Sequence, residues 1–422
     1  MDALLFAYAC LASLGVLQGL LFTLHLFENR RFARARSRNP DEAHCEGHVQ
    51  LFAPCKGHDT GLRGNLGRLL EQDHPDYEVT FIVESAQDPA MAIIRDVIAA
   101  HPHVPASIHV AGLATDCGQK VHNLRAATST LSTNTTVLAF VDSDARPSPG
   151  WLRHLAARLD RPTVGAISGY RWFVPERPTL SNYLLSNINA AVAGLIGPGG
   201  HQFVWGGSWA IRREVFERVK LRDAWRGTLS DDLVATQALK HAGMEIHFEP
   251  KCLVASPVDT DLPRLFEFLR RQFVVARFYS RRWWAGAIAV SLLSSGAIWG
   301  SVILAAYWSV TGHRAAVLAA TMAAALWLMH TVRAYLRQDI ARFCLPSFKS
   351  QLAGCRSFDV LAAPICGLVS LGCLLSSLIG RTIVWRGIAY RLRSGGQIES
   401  LSRIATEVVP RQATPGQERR AA

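Results

Sequence analysis

The sequence predicts an α/β domain on a mostly parallel sheet with transmembrane helices at both ends. Two observations lead there. Long charge-free runs sit near both ends of a 422-residue chain, and short apolar segments alternate with helical ones between them. Only 18% of the residues are charged, below the ~25% of an average soluble protein.

The first element is the run 3–27. Like 284–310 and 360–380 it carries no charge, and each reaches the ~20 residues that cross a ~30 Å hydrocarbon core; 315–332 is just long enough. The start, Met1-Asp2-Ala3, has no basic leader, whereas Arg30, Arg31, Arg34, Arg36 and Arg38 follow the apolar run. That arrangement predicts an uncleaved anchor over 1–29 with its C-terminal end in the cytoplasm. The net charge of +12 is contributed by 1–38, 333–358 and 381–422, and the rest of the chain is neutral. Juxtamembrane charge of this kind suits topology and contact with anionic lipid heads. It argues against a nucleic-acid binder, which concentrates charge on its folded domain. The nine cysteines form no C-x-x-C pair or zinc spacing and are read as structural.

Between the apolar ends, 49–53, 79–83, 107–110 and 137–141 read as buried strands, and 62–71, 90–100 and 121–128 have helical spacing. The pattern βαβαβαβ defines an α/β domain over 45–262. Ligands of such sheets lie beyond the carboxyl ends of the strands, which directs attention to 54–58, 84–89 and 142–147. Next, 263–284 interleaves apolar residues at helical spacing with arginines, as expected of an amphipathic helix at the bilayer surface. A membrane block of about three helices is expected over 285–385, and 395–422 is polar enough to be a disordered tail. Three crossings after the anchor would put Arg381, Arg386, Arg391 and Arg393 outside, against their preference for the cytoplasm; a re-entrant 360–380, with Pro364, is the alternative.

After the fourth strand, Asp142-Ser143-Asp144 places two carboxylates at i and i+2, able to project toward one point. Hard oxygen ligands suit Mg²⁺ or Mn²⁺; a polar turn capping the next helix would also account for them. Around this motif stand Ala53-Pro54-Cys55-Lys56-Gly57, Leu70-Glu71-Gln72-Asp73, Tyr77-Glu78-Val79 and Val83 through Ala90. Lys120-Val121-His122-Asn123-Leu124, Gly206-Gly207-Ser208 leading to Arg212-Arg213, and Ser230-Asp231-Asp232 complete the series. With these motifs in this order, the chain resembles the family 2 glycosyltransferases of GT-A (Rossmann-like) fold, most closely their ceramide glucosyltransferase-like branch, over about 48–284.

The resemblance implies a membrane-bound, metal-dependent, inverting hexosyltransferase with a cytoplasmic catalytic domain. It would take a nucleotide sugar, a UDP-hexose by preference, to a ceramide-like or other membrane lipid. Pro54, Lys56 and Glu84 would line the nucleoside pocket, Lys120 and Asn123 would lie near the donor, and Asp142 and Asp144 would hold metal and diphosphate. Lys56 and Lys120 could instead be surface lysines. Inverting transfer needs a base to take the acceptor hydroxyl's proton, and Asp232 is assigned ahead of Asp231; as a pair before an apolar helical run, both are also candidates for an N-cap. Gly207, Gln272 and Arg277 would lie near the acceptor and diphosphate. The branch's Gln/Arg-x-x-Arg-Trp motif is degenerate here, since four residues separate Gln272 from Arg277-Phe278. A processive polysaccharide synthase of the same family is the runner-up, and a transporter or scaffold with an inactive enzyme domain is the alternative of another class.

Overall fold

A computed structural model describes residues 3–38, 47–58 and 61–404. The first helix, α1 (Ala3–Arg38), is continuous well past the expected anchor. Its last turns are tied to the rest of the chain: Arg30 pairs with Asp339 and Arg36 with the buried Glu249, each at 2.6 Å. The expected alternation follows as β1 (His48–Pro54), α2 (Leu62–Leu69), β2 (Tyr77–Val83), α3 (Ala90–Ala100), β3 (Ala106–Val110), α4 (Gln119–Ala127) and β4 (Thr135–Val141). In α3, Ala90, Met91, Ile94 and Val97 form one buried stripe, the helical period that seats it on the sheet. Then come α5 (Trp151–Ala156), β5 (Val164–Pro175), α6 (Leu180–Ala193), β6 (Ser208–Arg212), α7 (Arg213–Arg218), α8 (Leu221–Ala224), α9 (Asp231–His241) and β7 (Glu245–Val258).

Seven strands form one sheet in the order β3-β2-β1-β4-β6-β5-β7. All neighbours run parallel except β6, which is antiparallel to β4 and β5. Strand order reverses between β1 and β4, so their carboxyl ends open a crevice. One face of the sheet buries Leu51, Phe81 and Trp151; the other buries Phe52, Phe140 and Trp209, with Phe140 and Trp209 stacked at 4.4 Å.

The helix α10 (Leu262–Tyr279) is capped by Asp261, which accepts the Arg264 N–H at 2.9 Å, and it stops at Ser280. The expected interfacial helix over 263–284 therefore divides, its last residues starting α11 (Arg281–Val310). After α12 (Ala316–Cys344) comes α13 (Leu352–Ser376). By length and composition α1, α11, α12 and α13 could each cross a membrane.

Both ends of α13 nevertheless meet the α/β domain. At its start Leu352 joins the first core face, and Cys366 and Cys373 pack with Leu184, Leu185 and Ile188 of α6. Beyond its end Ser377 accepts the Trp284 indole N–H at 2.9 Å, and the Ser377 carbonyl accepts from Arg277. The chain then forms β8 (Thr382–Trp385), β9 (Ile388–Leu392) and β10 (Ile398–Arg403), an antiparallel sheet in the order β10-β9-β8.

This sheet corrects two expectations. Residues 382–385 belong to a strand rather than a membrane block, and 395–403 are ordered; 405–422 lie outside the described residues. The physical reason is alternation: Ile388, Tyr390 and Leu392 all point into the second core face. Gly395 and Gly396, at φ +89° and +82°, allow the turn between β9 and β10.

Candidate active site

A cavity of about 660 Å³ opens at the carboxyl ends of β1 and β4. Its floor is acidic. Lys120, in the first turn of α4, places its ammonium 2.7 Å from Asp142 Oδ1 and 3.2 Å from Asp231 Oδ2, and donates to the Gly206 carbonyl at 3.1 Å. Burial alone would pull the Lys120 pKa down; Asp142, Asp231 and Asp232 outweigh it and hold the ammonium charged well above its ordinary range. Burial pushes the Asp231 carboxyl up to about 6, opposed by Lys120 and reinforced by Asp232 and Asp142.

Asp232 is held differently. Its Oδ2 accepts the Gly206 N–H at 3.1 Å, and its Oδ1 accepts the Ser230 hydroxyl at 2.5 Å and the Leu233 N–H at 2.8 Å. The N-cap of α9 is Ser230, whose side chain accepts from Leu233 N. Asp231 and Asp232 are thus first-turn residues of α9, where the helix dipole favours carboxylates. The backbone at 206–207 must be bare. A Cβ on Gly206 would stand 2.7 Å from Asp231 Oδ2 and 2.8 Å from Lys120 Nζ, and one on Gly207 would stand 2.7 Å from Asp142 Oδ2.

Of the residues singled out in the sequence, Pro54, Lys56, Lys120, Asn123, Asp142, Asp144, Asp231, Asp232 and Gln272 all line this cavity. Glu84 does not. It stands behind Lys56, its Oε2 2.8 Å from the ammonium and 3.6 Å from Arg403. Gly207 lies behind Asp142, whose N–H points at the Gly207 carbonyl at 3.4 Å. Arg277 is turned away: its guanidinium donates to the Ser377 and Gly380 carbonyls and fastens the end of α13, because the four-residue spacing from Gln272 rotates it off that face of α10. Lys56 and Lys120 are not free surface lysines, since each is paired.

The sequence reading missed the opposite wall. Arg171 of β5, Phe268 and Arg271 of α10, and Trp385, Arg386 and Tyr390 of the C-terminal sheet all face the cavity. Tyr390 Oη accepts the Gln119 N–H at 3.2 Å, and Arg386 donates to the Lys56 carbonyl at 2.6 Å, so the C-terminal sheet is bound to both β1 and α4. The alternation in 388–392 next to a Ser-Gly-Gly turn was the available signal.

Elsewhere, Asp116, Cys117 and His122 bring a carboxylate, a thiol and an imidazole within 4.8 Å. Arg125 is inserted there, 3.8 Å from both Asp116 and Cys117, where its cationic guanidinium opposes a metal ion.

The sequence matches the model of glycosyl transferase family 21 over residues 10–398. The chain belongs to that family. This glycosyltransferase is also 33% identical over 82 residues to a ceramide glucosyltransferase of Komagataella phaffii, a match spanning 19% of this chain and 16% of that relative. Among solved structures, the mannosyltransferase PcManGT of Pyrobaculum calidifontis, in complex with GDP-Man and Mn²⁺, aligns at 16% identity and TM-score 0.48, over 83% of this chain and 99% of that one. A mycobacterial protein aligns at 11% identity and TM-score 0.33, over 58% of this chain and 76% of that one. The mostly parallel seven-stranded sheet of the family 21 glycosyltransferase is an α/β architecture.

Proposed function

We propose that this glycosyltransferase is an integral membrane enzyme that transfers a hexosyl group, with inversion, from a nucleotide sugar to the headgroup of a lipid. The observation that carries the reading is the cavity itself: Asp142, Asp144, Asp231 and Asp232 form its floor, and Ile188, Val192, Phe268 and Phe273 form its side toward the apolar helices. A polar donor and an amphiphilic acceptor can meet there. The ceramide glucosyltransferase of Komagataella phaffii supports a ceramide-like acceptor, and a UDP-hexose is the donor we propose from the family resemblance.

Asp232 takes the acceptor hydroxyl's proton on a carboxylate oxygen. Its three donors fix the carboxylate plane while spare lone pairs stay available. Buried Asp231 anchors Lys120 and keeps its charge beside the leaving group. Lys56, braced by Glu84, and Asn123 border the donor side. Asp142 and Asp144 offer hard oxygen donors at the end of β4 and fit a divalent ion, Mg²⁺ or Mn²⁺. When bound, that ion supplies charge neutralisation and Lewis acidity to the departing diphosphate.

Three crossings by α1, α11 and α12, with α13 lying in the interface against the domain, put the α/β domain, the C-terminal sheet and every juxtamembrane arginine cluster on the cytoplasmic side. That arrangement removes the charge conflict of a fourth crossing. The test is incubation of the purified protein in lipid nanodiscs with a panel of nucleotide sugars and membrane lipids, products being identified by mass spectrometry. A hexosylated lipid formed only with divalent metal is expected; turnover to free sugar alone, with no lipid product across the panel, would sink the acceptor reading.

A further inference from the structure

Away from the catalytic cavity, a hollow of about 290 Å³ lies between α1 and α12. Arg30 and Arg34 line it from α1, Asp339, Arg342 and Phe343 from α12, and Lys349 from the link to α13. Cations outnumber carboxylates there. The buried Asp339 is shared, standing 2.6 Å from Arg30 and 4.0 Å from Arg342. Phe343 is shared as well: the guanidinium carbons of Arg30 and Arg34 each lie 5.8 Å from its ring centroid. Among the described residues Arg34 and Lys349 form no ion pair, and Arg34 Nε is buried with no hydrogen-bond partner.

The hollow sits at headgroup depth. Arg30 and Arg34 come three and seven residues after the charge-free run 3–27, which at 1.5 Å per residue is ~4.5 and ~10 Å. The polar layer of a bilayer extends ~5–8 Å beyond the hydrocarbon on each side. Tyr335, three residues past the run 315–332, borders the hollow with an exposed ring, where interfacial aromatics sit. Guanidinium groups crowded this close to hydrocarbon are unfavourable unless an anion joins them. This stretch of α1 is also held in place: Asn29 donates to the Gly194 carbonyl at 2.8 Å on one side, and Arg36 pairs with Glu249 on the other.

We propose that this hollow binds the phosphate of an anionic phospholipid from the leaflet facing the α/β domain, with Arg34 and Lys349 supplying the unpaired positive charge. Basic hollows between membrane helices suit such headgroups, and a zwitterionic lipid would bring a choline cation that the cluster repels. The site shares no lining residue with the catalytic cavity. It goes beyond the glycosyltransferase reading and needs only the membrane placement of α1 and α12.

Native mass spectrometry of the full-length protein in detergent, titrated with phosphatidylglycerol or with phosphatidylcholine of the same chains, counts bound lipid without any sugar transfer. Wild type should hold phosphatidylglycerol distinctly more tightly. Arg34→Gln and Lys349→Gln should each weaken it about fivefold, the worth of one basic residue near an anionic headgroup, and the double variant by about the product of the two. Arg34→Lys should lose less than Arg34→Gln. Lys349 is exposed, so its variant reads the hollow with the fold untouched. Arg31→Gln removes the same charge from an exposed neighbouring position on α1 outside the hollow and should bind as wild type does. Equal retention of the two lipids by wild type, or unchanged binding in the double variant, would overturn the proposal. So would a loss in Arg31→Gln as large as in Arg34→Gln, which would show diffuse attraction in place of a site. Arg34-dependent binding of inorganic phosphate with no preference between the lipids would assign the hollow to a soluble anion and refute the lipid. Selective, Arg34-dependent phosphatidylglycerol binding in a protein that transfers no sugar would sink the catalytic reading and leave this site standing.

Discussion

The floor and the wall of the cavity are built on opposite principles. On the floor every charge is engaged: Lys120 touches two carboxylates and a carbonyl, and Asp232 accepts three hydrogen bonds. On the wall Arg171 and Arg271 rest on aromatic rings, and among the described residues neither forms an ion pair. A satisfied network keeps its geometry through a reaction, which a base and a metal site require. A wall with unused donors pays for its burial only when ligand arrives. On the proposed reading the floor carries the chemical step and the wall carries ligand capture, so damage to the two should separate into rate and affinity.

The largest expected effect is at Lys120. Replacing it with Met leaves Asp142 and Asp231 buried around a missing cation, a loss of about 3–5 kcal/mol in stability by the measure of broken buried pairs. Thermal unfolding in detergent reads this directly, and transfer should vanish with it. A variant that melts like wild type would show that the floor is not a network.

Removing the proposed metal ligand comes next. Asp144→Ala, or wild type in excess chelator, should lower transfer about 10²- to 10⁴-fold, equivalent to several kcal/mol of Lewis-acid stabilisation, with the melting temperature nearly unchanged. Full activity in chelator would remove the metal from the account.

Asp232→Asn should cost about 10² to 10⁴ in rate, the usual worth of a general base, while donor affinity measured by titration changes little. Asp231→Asn serves as its comparison. Because Asp231 pairs with Lys120 rather than capping α9, its loss should exceed a cap's worth and appear in stability as well as rate. Exchange of the two phenotypes would move the base by one residue.

The smallest effect belongs to the wall. Trp385→Ala removes one ring beside Arg271, a cation–π contact of about 0.5–1 kcal/mol, and should raise the donor or acceptor KM about two- to fivefold with kcat preserved. A fall in kcat at unchanged KM would erase the distinction between floor and wall.

The floor was legible in the sequence because its residues follow strand ends in short motifs: Lys56 after β1, Asp142 and Asp144 after β4, Asp231 and Asp232 at the start of α9. The same locality made β1 to β4 and α2 to α4 readable to within a few residues of their limits. The wall was not legible, since it is assembled from β5, α10 and a C-terminal sheet more than a hundred residues away from α10's start, and nothing local distinguishes Arg271 from Arg270 beside it. Composition misled at the C-terminus. Gly, Ser and Arg mark 394–403 as polar, yet two glycines turn the chain and three alternating side chains in β9 anchor it to the core. At α13 the apolar run is long enough to cross a bilayer, while Leu352 at its start and Cys366 and Cys373 further along pack against the domain.

The central claim is a single displacement at the sugar carbon, assisted by one base, Asp232. The most direct measurement is the anomeric configuration of the first-formed product from an α-linked nucleotide sugar, determined by NMR on the purified glycolipid. The account predicts a β-linkage. An α-linked product, with configuration retained, would contradict it.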